Sequence, residues 1–231
     1  MCGRYHLLAT PEILAEHFGL QRLPNFQASY NIVPTQKVLC IVELDDGSRK
    51  SVNLRWGLIP SWTKERASGP ALFNARMETI REKPAFRAAF KHRRCLIAAT
   101  GFYEWQTLET GKQAFHIQRQ DQQPFAFAGL WEQWQHDNEV LYSCTLITTA
   151  ANALMSAIHE RMPVVLSRHH YHDWLAKQTP EDQAFKRLLQ TDYATLSSTA
   201  ISDHVNNPQH DDAFCLRPQK RHEPARHPPS E

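Results

Sequence analysis

Tight turns join strand-length apolar runs along most of this 231-residue chain, and helices are not regularly interposed between them. That order excludes a doubly wound parallel sheet, whose crossovers each require a helix, and leaves a β-rich α+β domain. The mostly apolar run Lys37–Leu44 reads as a buried strand. Asp45-Asp46-Gly47 turns it back into Ser51–Trp56. Cys95–Ala99 is a further buried strand, followed by Ala114–Arg119, Pro124–Trp131 and Glu139–Thr148. Val164–Leu166 and Tyr193–Ile201 complete the set.

Helices are expected at few places. Thr10 can cap one, Pro11 suits its first turn and Gly19 can end it, with Ile13, Leu14, His17 and Phe18 on one face. Others are predicted over Pro84–His92, Ala150–Ile158, Tyr171–Lys177 and Pro180–Leu189. Pro163 forbids helical continuation. Residues 21–36 read as irregular and Lys64–Pro70 as a mobile loop. Beyond residue 217 prolines and charge replace large apolar residues. The expected organisation is therefore one domain over 1–217 and a disordered basic Pro/His tail over 218–231.

The 42% hydrophobic content is enough for a sizeable core. No apolar run approaches the roughly 20 residues of a membrane span and no signal peptide is recognised, so a cytoplasmic protein without a membrane partner is expected. Net charge is only +2, which does not favour blanket binding of duplex nucleic acid but permits a local basic groove. Lys83, Arg87, Lys91, His92, Arg93 and Arg94 form a basic stretch whose simplest reading is a solvated helix face. The five cysteines form no C-x-x-C pair, and Cys40, Cys95 and Cys144 sit in apolar runs, as buried reduced thiols do. His169-His170-x-His172 lacks a cysteine or carboxylate cluster to complete a metal site. Neither a metal nor another cofactor is expected.

Chemistry concentrates at the opening Met1-Cys2-Gly3-Arg4. Removal of Met1 would leave a 1,2-aminothiol. An α-amine titrates at roughly 7.7–8.0 and a free thiol at about 8.5, so neutral amine and thiolate coexist near neutrality. The amine can form a Schiff base with an aldehyde and the thiol can close on it to a thiazolidine; alternatively the thiol attacks an acyl carbon with the amine as base. Glu104, between the aromatics of Gly101-Phe102-Tyr103-Glu104-Trp105, is expected to have a raised pKa suited to proton transfer, or to be tied to an arginine. His159 lies at a helix exit, where both chemistry and capping are ordinary. Trp56 is expected in the core and Trp62 on the surface as a ligand platform.

Six segments in order resemble the SOS-response-associated peptidase (SRAP) family, whose members crosslink to abasic sites in DNA. They are Met-Cys-Gly-Arg-Tyr at 1–5, Tyr-Asn-Ile-Val-Pro-Thr at 30–35, Arg-Trp-Gly-Leu-Ile-Pro-Ser-Trp at 55–62, Asn-Ala-Arg-Met-Glu-Thr at 74–79, Gly-Phe-Tyr-Glu-Trp at 101–105 and Ile-His-Glu-Arg-Met-Pro at 158–163. Ala98 and Thr100 depart from the family's usual proline and acidic or serine residue. The resemblance implies a single compact domain of coiled sheets around a barrel-like core, with a few peripheral helices. It implies a nucleophilic Cys2, an Asn74 that orients the N-terminus and sugar, a Glu104 that manages protons at the amine, and a His159 acting as acid and base on the sugar hydroxyl. It assigns DNA contacts to Gly3, Arg4, Pro34, Trp62, Arg76 and Arg161. Arg4 and Arg76 have an alternative role as partners of buried acidic groups.

The implied partner is abasic single-stranded DNA, or a single-strand/duplex junction, met by a monomer that joins the nucleoid during DNA damage. Lyase, crosslink-reversal and autopeptidase activities accompany the resemblance. Two other readings stand beside it: an N-terminal-nucleophile cysteine amidohydrolase, and a non-enzymatic single-strand DNA-binding module.

Overall fold

The computed structural model describes residues 2–64, 72–177, 185 and 195–219. Its strands are β1 (Tyr5–Leu7), β2 (Ser29–Ile32), β3 (Lys37–Glu43), β4 (Arg49–Trp56), β5 (Asn74–Arg76), β6 (Arg94–Ala99), β7 (Gly101–Leu108), β8 (Gly111–Arg119), β9 (Phe125–His136), β10 (Glu139–Ala150), β11 (Arg161–Pro163), β12 (Val165–Leu166) and β13 (Leu196–Ala200). The helices are α1 (Pro11–Phe18), α2 (Pro84–His92), α3 (Ala153–Ser156) and α4 (Tyr171–Leu175). None is long and apolar enough to cross a membrane among the described residues.

The predicted hairpin forms as its residues dictate. Gly47 takes φ 78°, a conformation glycine adopts without steric cost, and β3 and β4 pair from Glu43↔Arg49 to Lys37↔Arg55. β3 continues onto β6, β6 onto β9, and β9 onto β10, all antiparallel. A short parallel pairing, Ser143↔Arg55 and Cys144↔Trp56, joins β10 to β4 and closes a five-stranded barrel. Closure removes the exposed edges that a row of such strands would otherwise present. The interior holds Cys40, Cys95, Ile97, Phe127, Cys144 and Leu146, each at most 1% exposed. Cysteines and Gly129 supply the small volumes that so narrow a barrel needs: a Cβ on Gly129 would lie 2.8 Å from Ile97 Cγ1 and 2.9 Å from Cys95 Sγ.

A second sheet runs β13-β8-β7-β1-β2. It begins where Thr100 separates β6 from β7 and carries the chain out of the barrel. The Thr100 N–H donates to the His6 carbonyl at 3.0 Å, and its hydroxyl accepts the Leu8 N–H at 2.8 Å and meets His6 Nδ1 at 2.9 Å. Tyr5 anchors β1 from the other side, with its ring 5.2 Å from Trp56 and 5.6 Å from Phe127. The first residues of the chain are thus held against the barrel.

Several local expectations change in three dimensions. β1, β2 and the strand character of β7 escape the sequence reading, β2 lying within the stretch read as irregular. The helix expected over Ala150–Ile158 shrinks to α3, because residues to Ala150 extend β10 and pair with β11. Asn152 caps it, its side chain accepting from the Met155 N–H. In α1 the Thr10 cap, Pro11 and the left-handed Gly19 all serve as expected, but Ile13 is 44% exposed while Leu14 and Phe18 are buried. His17 packs beside Phe18 and meets Tyr171 Oη at 3.1 Å, as a rim histidine. Nearly all of the predicted Pro180–Leu189 helix, the Lys64–Pro70 loop and the tail lies outside the described residues. Pro218 bridges Ile201, and the Gln219 N–H reaches the Ala200 carbonyl.

Candidate active site

Four elements distant in sequence meet at the start of the chain. β5, held parallel to β10 by Leu146↔Asn74, places Asn74 so that its Nδ2 donates to the Cys2 carbonyl at 2.9 Å. The Asn74 Oδ1 is buried and has no hydrogen-bond partner among the described residues. β7 brings Glu104 in from the second sheet, 2% exposed. The turn after α3 brings His159, whose backbone N–H donates to the Met155 carbonyl and whose Nδ1 accepts the Arg161 N–H at 2.9 Å. An accepting Nδ1 leaves Nε2 as the position for the ring proton in the neutral tautomer.

Electrostatics link Glu104 to Cys2 and to His159. Burial pushes the Glu104 carboxyl above its ordinary range, while the positive charges of the amino terminus and His159 pull it back. Cys2 is fully buried, and its thiol is pushed up strongly by that burial and further by Glu104. With Met1 still attached the thiol is therefore held protonated, unlike the free cysteine from which the sequence expectation was built.

Glu104 and His159 face a cleft of about 480 Å³ lined also by Arg4, Trp105, Thr107, Lys112 and Asn206. Arg4 sits over the Trp105 ring at 5.7 Å and donates through Nη1 to Asn31 Oδ1 at 2.9 Å and the Val205 carbonyl at 2.7 Å. Its partners are neutral, so the acidic partner considered for it is not what holds it. Trp105 Nε1 donates to Asn206 Oδ1 at 2.7 Å. Asn206 and Lys112 were not singled out in the sequence: Val205-Asn206-Asn207-Pro208 reads only as a turn, and Lys112 sits in an ordinary polar strand end.

The remaining predicted residues are not among those that line this cleft. Gly3 is half-buried between Cys2 and Arg4. Trp56 is buried with Nε1 on the Phe73 carbonyl, as expected for a core residue, whereas Trp62 is 65% exposed. Pro34 is half-buried in the turn before β3, where Thr35 takes φ 81° and donates to the Trp56 carbonyl. Arg76 is exposed, sits opposite Thr148 in the β5–β10 pairing, and helps Arg161 hold the Glu78 carboxyl below its ordinary range. Arg161 holds both oxygens of Glu78, at 2.6 and 3.0 Å, and the Thr148 carbonyl.

Behind the cleft, His6 and His116 share a hydrogen bond of 2.7 Å between their Nε2 atoms. Burial pushes both down, His116 to about 4, so they are neutral at physiological pH and one ring donates to the other. Gly101 is obligatory here, since a Cβ would lie 2.2 Å from His6 Nε2.

Comparison of the whole chain with known proteins points to one group. Abasic site processing protein YoaM of Bacillus subtilis (strain 168) is 40% identical over 223 residues, covering 94% of this chain and 97% of that protein. Abasic site processing protein HMCES of Xenopus tropicalis is 30% identical over 262 residues, covering 94% and 78%. A crystal structure from Bacteroides thetaiotaomicron, 24% identical, has the same fold with a TM-score of 0.82 over 94% of this chain and all of that one. One from Bordetella bronchiseptica, 26% identical, superposes with a TM-score of 0.77 over 87% and 100%. The sequence model of the SOS response associated peptidase (SRAP) family matches residues 1–208, and the chain belongs to that family.

Proposed function

We propose that this protein processes abasic sites by capturing the ring-opened sugar of a lesion in single-stranded DNA on Cys2, after removal of Met1. The observation that carries the reading is that Glu104, on the wall of the cleft with His159, is electrostatically linked both to His159 and to the buried Cys2, whose carbonyl Asn74 holds at 2.9 Å. An abasic deoxyribose opens to an aldehyde. Glu104 takes a proton from the Cys2 ammonium, freeing its lone pair to attack the aldehyde carbon. The carbinolamine then loses water to give the Schiff base, with Glu104 returning a proton to the departing hydroxyl. The Cys2 sulfur adds to the imine carbon and its proton passes to nitrogen, which closes the thiazolidine. His159 serves the sugar hydroxyl in ring opening and, in reverse, in release of the crosslink.

Lyase activity follows if β-elimination from the Schiff base outruns ring closure. Thiol attack on the Met1 carbonyl is the corresponding route for self-processing. Trp62 offers a face for an unstacked base, and Arg76, with Gly3 and Pro34 along the path, a contact to phosphate. Arg4 supports the wall, and Arg161 would meet phosphate only by exchanging Glu78. The protein is read as a cytoplasmic monomer that meets the nucleoid when DNA is damaged.

The test is denaturing electrophoresis after mixing the protein with abasic single-stranded DNA. A heat-stable band is expected from the parent protein and none from Cys2→Ala without chemical reduction. Glutaminase activity without capture would restore the amidohydrolase reading. Salt-sensitive binding indifferent to Cys2 and to the lesion would restore the simple binding module.

A further inference from the structure

A second cluster of chemistry-bearing side chains lies behind the cleft wall. Two short 3-10 turns, Asp203–Asn206 and Ala213–Leu216, follow β13. They bring together His204, Asp212 and Cys215, whose ligand atoms all lie within 4.8 Å of one another. We propose that these three residues form a binding site for a divalent metal ion of the zinc class, which locks the wall of the cleft.

The donor set argues for that class. An imidazole nitrogen, a carboxylate oxygen and a thiolate match the N, O and S preferences of zinc, whereas magnesium and calcium would demand oxygen alone. His204 Nε2 is already 3.1 and 3.2 Å from the two Asp212 oxygens. With bonds of about 2.0–2.3 Å, tetrahedral ligands stand roughly 3.3–3.7 Å apart, so the pair needs little adjustment and Cys215 Sγ moves in by about 1 Å at most. His204 is held for this by His210: the rings stack at 3.9 Å, and His210 Nδ1 donates to the His204 carbonyl at 2.8 Å. On binding, the Cys215 thiol loses its proton to solvent and the His204 ring proton resides on Nδ1, leaving Nε2 its lone pair. Cys215 is buried, while His204 and Asp212 are 29% and 49% exposed; that open rim admits the ion and a water as fourth ligand.

The same turns hold the cleft. Val205 accepts from Arg4, Asn206 from Trp105, and the His210 and Asn207 carbonyls from Asn31 Nδ2 at 2.6 and 3.1 Å. A metal here would fix Arg4 and Trp105 without touching substrate. Sequence spacing gives no warning of it, since eight and three residues separate the ligands in no familiar metal pattern.

The experiment is titration of chelator-treated full-length protein with Co²⁺, followed by displacement with Zn²⁺. One equivalent of Co²⁺ should produce a thiolate-to-cobalt charge-transfer band. Zn²⁺ at a hundredfold excess over its Kd should raise Tm by about 5–10 °C. The band should vanish in Cys215→Ser and the affinity should fall at least about tenfold in Asp212→Asn, which keeps the shape of the turn. Cys2→Ala should retain both. Absence of the band in the parent protein, or a band that survives Cys215→Ser and is lost in Cys2→Ala, would overturn the proposal; the second result would place the metal on the aminothiol. A bound zinc that leaves Tm unchanged would overturn its locking role.

Discussion

Four of the five buried cysteines lie in two contrasting settings, apart from Cys215. Cys40, Cys95 and Cys144 line the barrel, with the Cys40 and Cys144 sulfurs 3.9 Å apart and aliphatic or aromatic neighbours around them. Cys2 is as completely buried, yet its neighbours are Glu104 and Asn74. Burial pushes the thiols of Cys2, Cys40 and Cys95 up alike. Depth therefore does not separate the cysteine proposed to react from those of the barrel; its carboxyl neighbour does. The barrel thiols have one another and the buried Tyr5 phenol for polar company, weak proton carriers that leave them acting as small apolar side chains.

The largest effect expected from that contrast is qualitative. Cys2→Ala should lose the heat-stable adduct entirely, while Cys40→Ala should capture abasic DNA as the parent does, at a temperature where both are folded. Loss of capture in a folded Cys40→Ala protein would erase the distinction between the two settings.

Next come the proton carriers. Glu104→Gln and His159→Ala should each slow reaction of bound DNA by about 10²–10⁴-fold under single-turnover, saturating conditions. They should separate on reversal, measured as transfer of preformed adduct to excess competitor DNA: His159→Ala should slow it, Glu104→Gln less. Unchanged rates with weakened binding would reduce both residues to DNA positioning.

The barrel should answer through stability instead. Gly129→Ala forces a methyl against Ile97 and Cys95 and should cost about 1–3 kcal/mol in urea unfolding, with capture intact below the transition. A neutral outcome would mean the interior is more loosely packed than these distances state.

The smallest effect has the opposite sign. Because burial raises the Glu104 carboxyl in the folded state, the stability linked to its proton is complete below the unfolded value of about 4.3 and is lost as pH rises through the folded one. Glu104→Gln carries no such loss. Its Tm should exceed the parent's by roughly a few degrees near pH 7, and the gain should fade toward pH 4. A lower Tm at pH 7 would show that the ionic contacts of Glu104 outweigh its burial.

Much of the strand order was legible because it rests on local chemistry. Asp45-Asp46-Gly47 supplies a turn, Thr10-Pro11 and Gly19 bound a helix, and apolar runs announce β3, β6, β9 and β10. β1 and β2 were not legible: they are three and four residues long, and they exist by pairing with each other and with β7. The barrel was expected only through the family resemblance, because its closure depends on two parallel pairs between β4 and β10 that no local pattern announces. The candidate site divides the same way. Cys2, Asn74, Glu104 and His159 stood out by residue type and family pattern, but Asn206, in a featureless turn, did not.

What the sequence by itself determined is the menu of chemistry: an aminothiol once Met1 is gone, a carboxyl among aromatics, a histidine at an element's end, and strands too closely spaced for βαβ units. Tertiary structure alone decided which groups meet and how deep they lie. Arg4 reaches across 201 positions to Val205, Asn74 across 72 to Cys2, and Arg161 across 83 to Glu78. The reason is physical. Turn and cap preferences act within a few residues, whereas desolvation and Coulomb interactions depend on which distant segments exclude water together, and only the closed barrel with its second sheet sets that.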